Sequence, residues 1–184
     1  MQMKREFVPE HLNIVDFAQA GAQLSGADDL ARFGRLAAEA VESTDGVKVD
    51  WEAVGEQRQD AGGRAVPWLH LHASTTISLV CQRCLAPVHT PAEIDRWFRF
   101  APDEETAAAL DEELEDDVLV ASHDFDLFNL IEDELLMELP ITPRHEVCPQ
   151  EVPLTAQDPD FDSAENERAN PFATLAKLRS DKPQ

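Results

Sequence analysis

The chain has 184 residues, 43% hydrophobic and 28% charged, with a formal net charge of −22, which suits one ordinary core and a tail better than two domains. Its apolar runs are only a few residues long and its opening, MQMKREFVPEH, has charges but no apolar stretch, which predicts neither a membrane span nor a secretory signal and a place in the cytoplasm. The charge is uneven: residues 101–170 hold twenty-two of the 37 acidic residues and two of the 15 basic ones. Such a polyanionic stretch repels phosphates, which disfavours an extensive RNA or DNA footprint and favours a basic protein as partner.

In chain order, Leu30, Phe33, Leu36, Ala37, Ala40 and Val41 recur at steps of three and four. They predict a core-facing helix over Asp28–Val41, capped by Ser25 or Asp28 and weakened by Gly34. Val47, Val49, Trp51 and Ala53 alternate with charged residues and predict a strand, ended by a glycine-containing loop from Gly55 to Gly63. Leu69 to Leu79 and Val88 to Phe100 alternate in the same way, with Arg96 as the misfit, and predict a long antiparallel hairpin. CQRCLAP forms its connection. Pro91 cannot donate a ladder hydrogen bond and points to an edge or a bulge.

An acidic insert over about 101–117 follows, of helical or disordered character, and then a short strand at Val118-Leu119-Val120. Asp126 caps an apolar helix, Leu127–Leu139, stopped by Pro140. Its leucines spread around the axis, so it is buried on more than one side or covers a partner. Its carboxylates Glu132, Asp133 and Glu134 are mostly near the N-terminal half, where the helix dipole favours them. Residues 150–169 have acidic linker composition. Asn170-Pro171 then caps a short amphipathic helix within 170–184, whose Phe172, Leu175 and Leu178 need a surface to dock on. Asn170, Pro171, Phe172, Leu175 and Leu178 are therefore the candidate partner-binding residues.

The three cysteines fall into two clusters, Cys81-x-x-Cys84 and His145-x-x-Cys148, separated by sixty residues. Three is an odd number, so structural disulfides fit poorly, and metal binding, redox chemistry and simple burial stay open. Cys81, Cys84, His145 and Cys148 would complete a zinc tetrahedron. Against zinc stand the missing glycine in the first turn, the proline after Cys148 and the long separation. Against a redox pair stands the strand, rather than a helix, that follows Cys84. Isolated histidines such as His70, His72, His89 and His123 read as ordinary surface or core imidazoles. Phosphate loops, nucleophile elbows and His-Glu-x-x-His helices do not occur in the sequence.

CQRCL after an alternating strand, then DLFNLIEDELLMELPITPRHEVC, then NPFATLAKL resembles, in that order, the bacterial YceD family, the large ribosomal RNA subunit accumulation proteins. The resemblance implies a role in synthesis, processing or stability of 23S ribosomal RNA, and genes that commonly neighbour that of a small basic large-subunit ribosomal protein. It carries no catalytic residue.

Together these readings predict an α+β domain over residues 1–149, its antiparallel sheet built around the 69–100 hairpin and packed by helices, followed by the linker and docking segment. The predicted function is non-enzymatic ribosome biogenesis through a basic large-subunit ribosomal protein or an rRNA-processing factor; the alternatives are a zinc-binding structural or regulatory module and, behind it, a thiol redox or RNA-processing enzyme. If the cysteine clusters meet, they clasp the hairpin tip to the segment leaving the apolar helix.

Overall fold

The computed structural model describes residues 6–150, so the expected linker and docking segment lie outside the described residues. Strands β1 (Gln23–Asp29), β2 (Lys48–Gln59), β3 (Ala65–Val80), β4 (Pro87–Ala101) and β5 (Asp117–Val120) form one sheet in that order. Neighbours are antiparallel except β5, which runs parallel to β4. Helices α1 (Ile14–Gln19), α2 (Gly34–Ala38), α3 (Glu104–Glu113) and α4 (Leu127–Glu138) complete the α+β fold.

The expected hairpin is present with an unbroken register, from Trp68 opposite Arg99 to Val80 opposite Pro87. Pro91 faces Thr76, and β5 pairs only with Phe98–Ala101. The proline therefore lies where β4 has no second strand neighbour among the described residues, which removes the need for a bulge. The acidic insert forms α3, capped by Asp103, whose side chain accepts from the Thr106 N–H at 2.8 Å. It carries the chain to β5, which includes the expected Val118–Val120 strand.

The helix expected over Asp28–Val41 is largely absent. Asp28 and Asp29 end strand β1, Leu30–Arg32 make a 3-10 turn, and only Gly34–Ala38 are α-helical. Leu30, Phe33 and Leu36 do face the core, but a step of three serves a 3-10 turn as well as an α-helix. Strand β1 left no signal because QLSGADD is nearly devoid of large apolar residues. Gly26 is required there, since a Cβ would lie 2.8 Å from the Trp51 indole. The glycine loop also proves shorter than expected, because β2 continues to Gln59. Gly55 is a contact point inside that strand: a Cβ would sit 2.7 Å from Phe17 on α1.

Period-two alternation places Val49, Trp51 and Ala53 on the same sheet face as Leu71, Ala73, Ile94 and Phe98. Onto this face pack Phe17 of α1, Leu36 of α2 and Leu127, Ile131 and Leu135 of α4. Arg96 belongs to this face too. It reaches Glu138 at 2.9 Å and Glu134 at 3.5 Å on α4, so the misfit in the pattern is answered by carboxylates across the packing.

Asp126 caps α4 as expected, accepting from the Phe128 and Asn129 amides at 3.0 and 3.2 Å. The reading of its carboxylates as groups that simply lean on the dipole is incomplete, since Glu132 and Glu134 are both buried. Glu132 accepts from the backbone N–H of Arg35 at 2.7 Å and of Leu36 at 3.2 Å. The N-cap of α2, Phe33, offers no capping side chain. A carboxylate from another helix thus satisfies its orphan amides.

Candidate metal centre

Two segments build the site. The chain leaves β3 at Val80 and folds back at once: Cys81 N–H donates to the Ala86 carbonyl and Leu85 N–H to the Cys81 carbonyl, both at 2.9 Å. Leu85 closes the turn with φ of 60° and an exposed side chain. The residue after the second cysteine thus takes the left-handed conformation usually left to glycine, which answers the first objection to a metal knuckle. On the other side, Pro140 ends α4 and the chain turns back beneath the hairpin tip. Gln82 N–H donates to the Pro143 carbonyl at 2.8 Å, and this bond brings the sixty-residue separation to contact.

The four expected ligands converge. One donor atom from each of Cys81, Cys84, His145 and Cys148 lies within 4.8 Å of the others. His145 Nδ1 is 3.4 Å from Cys84 Sγ. Cys81 is fully buried, the other three are half-buried, and all three thiols are free. A zinc tetrahedron with Zn–S bonds of about 2.3 Å sets its ligands about 3.8 Å apart, so the cluster needs about 1 Å of contraction at most.

The electrostatics favour a thiolate at Cys81. Burial pushes the Cys81 thiol up, but the backbone N–H groups of Cys84, His145 and Arg83, joined by the His145 side chain, outweigh it and bring its pKa down to about 5. Burial pushes the Cys148 thiol up, and so do its hydrogen bonds with Cys84 and Cys81. A thiolate at Cys81 with two further sulfurs crowded beside it favours a cation among them. The thiol-redox reading draws no support from the local fold, because strand β4 follows the turn where a helix N-terminus would activate the thiol.

The expected partner-binding residues Asn170, Pro171, Phe172, Leu175 and Leu178 lie outside the described residues. Two features escaped the sequence reading. One is the pair of buried glutamates on α4. The other is an aromatic group on the sheet face away from α1, α2 and α4, where His70 stacks on Trp97 with ring centroids 4.4 Å apart. Trp68, His70 and His72 alternate with Leu69 and Leu71, and that opposite parity was the available signal.

The family model described as "Large ribosomal RNA subunit accumulation protein YceD" matches residues 69–179, well over half of the chain. The chain belongs to the YceD family. A protein of Haemophilus influenzae, named as a large ribosomal RNA subunit accumulation protein YceD, is 31% identical over 106 residues. That match covers 56% of this chain and 60% of the relative, so the chain spans about three fifths of that YceD protein's length. No solved structure matches the chain. The matched region takes in the hairpin from Leu69 on, the three cysteines with His145, and α4, while β1 and β2 precede it. No helix among the described residues is long and apolar enough to cross a membrane.

Proposed function

We propose that this YceD protein is a non-enzymatic, cytoplasmic factor in biogenesis of the large ribosomal subunit, supporting synthesis, processing or stability of 23S rRNA by binding a basic ribosomal or rRNA-processing protein. The observation that carries this reading, within a family described by rRNA accumulation, is the net charge of −22. A chain this acidic is repelled by phosphates and attracted to the basic proteins that accompany them.

Cys81, Cys84, His145 and Cys148 hold zinc in this reading. Bound zinc supplies a structural crosslink, since four protein ligands close the coordination shell and leave no position for a substrate. Cys81 and Cys84 present the hairpin tip, His145 and Cys148 the segment after α4. The Gln82 to Pro143 hydrogen bond holds the two in place.

Crosslinking with mass spectrometry in cell extract tests the partner. The intact chain is expected to crosslink to a basic large-subunit or processing protein, and a chain truncated before Asn170 to lose part of that yield. Recovery of naked rRNA fragments without ribosomal proteins would defeat the adaptor reading.

A further inference from the structure

The sheet face opposite α1, α2 and α4 carries Trp68, His70 and His72 of β3, flanked by Trp97 and Asp95 of β4 and by Glu52 and Glu56 of β2. Arg58, from the end of β2, lies across this face. Its guanidinium stands 3.8 Å from the Trp97 ring centroid and 4.6 Å from that of Trp68, and it bonds Glu56 at 2.9 Å. Trp68 is nearly covered, and Trp97 is half-buried. His70 stacks on Trp97 and is held by Asp95 at 2.5 Å.

We propose that this face is the seat for an arginine-bearing segment of the basic partner, and that Arg58 occupies that seat in cis until the partner displaces it. The inference rests on the basic-partner reading and places its contact. The arrangement around Arg58 is the one a foreign guanidinium requires: indole faces for cation–π contact and a carboxylate at its edge. Asp50 and Glu93 on the same face, with Asp95 beside His70 and Glu52 beside Gln23, add negative charge toward neighbouring cations of the incoming segment. An incoming guanidinium would replace the two ring contacts of Arg58 in kind, and what else holds Arg58 is weak. Its side chain is 34% exposed and its ion pair reaches only two residues along its own strand, and exposed pairs of this kind contribute little. A single-stranded RNA could also stack on the tryptophans, but those carboxylates oppose its phosphates.

The test uses the full chain and a synthetic peptide alternating arginine with alanine, with binding read by tryptophan fluorescence. Trp97→Leu is expected to weaken binding about five- to tenfold, the worth of one or two cation–π contacts. Arg58→Ala is expected to tighten it about threefold or more by vacating the seat. Arg83→Ala makes the same charge change at the hairpin tip and should tighten it far less. The pair Glu56→Gln and Asp95→Asn, on exposed side chains, keeps the test alive if Trp97→Leu fails to fold, and should weaken binding about as much.

Undiminished binding by Trp97→Leu, or equal gains from Arg58→Ala and Arg83→Ala, overturns the seat while leaving a basic partner bound elsewhere. Binding of an oligouridylate in place of the peptide overturns it in favour of RNA. Absence of peptide binding also overturns it, and the crosslinking experiment then judges the basic-partner reading separately.

Discussion

Glu132 and Glu134 stand two residues apart on α4, both buried, yet their environments differ in sign. Glu132 is met by two backbone amides and the Arg35 guanidinium, whose Nε lies 2.9 Å away. Glu134 has only Arg96 at 3.5 Å, and its Oε2 is buried without a hydrogen bond. Glu132→Ala would strand the amides of α2 and is expected to cost about 2–4 kcal/mol in denaturant unfolding. Glu134 behaves otherwise. Burial first, then Asp117, Asp133 and Glu138, raise its pKa against the opposing pull of Arg96. A carboxyl raised on folding lends stability below its unfolded pKa and loses it as pH climbs through the folded one. Glu134→Gln is therefore expected to match or exceed the parent at neutral pH, by up to about 1 kcal/mol. It should also flatten the loss of stability as pH rises from the ordinary glutamate range. A large loss at neutral pH would show instead that the Arg96 pair dominates.

Among the elements, the hairpin tip and the segment after α4 carry the clearest consequence. Protein purified without chelator should contain about one zinc per chain. Stripping it with EDTA should lower Tm by about 5 °C or more, and Cys84→Ser should do the same with the sheet signal in circular dichroism retained. Well under one zinc, with Tm indifferent to chelator, would leave the cluster as buried turn residues. The long elements were legible because each has a strong period: two in Leu69–Leu79, a cap and leucines in Asp126–Leu139. The four ligands were legible because the residue types are few and their spacing is tight. What was not legible depends on partners distant in sequence. Strand β1 exists because β2 offers it an edge, and its Ser, Gly and Ala residues bear no pattern of their own. Gly55 looked like loop punctuation because the side chain that demands it, Phe17, lies 38 positions earlier. Trp97 was missed because the core-facing parity of β4 drew attention to Phe98 and Phe100.

For the whole molecule, charge dominates. A net −22 stores self-repulsion that salt relieves, whereas the exposed ion pairs of Arg32 and Arg35 would be weakened by it. Repulsion should win, so raising NaCl from about 20 to about 300 mM is expected to increase Tm by about 2–4 °C. A fall in Tm would mean that the ion pairs outweigh the repulsion. The same field would draw a basic partner in quickly at low salt and more slowly at high salt.

The N-terminal segment is stitched to the entrance of α4: Leu12 and Phe125 exchange backbone hydrogen bonds of 2.8 and 2.9 Å, and His11 meets Asp124 across 113 residues. During translation this stitch cannot close until its distant half has been made. At about 5–20 residues per second, Leu12 waits about 6–23 s for its partner. The hairpin can zip in that interval. The Leu12 stitch is therefore among the last contacts to close, and a nascent chain stalled before Phe125 would present a core without α4 to chaperones.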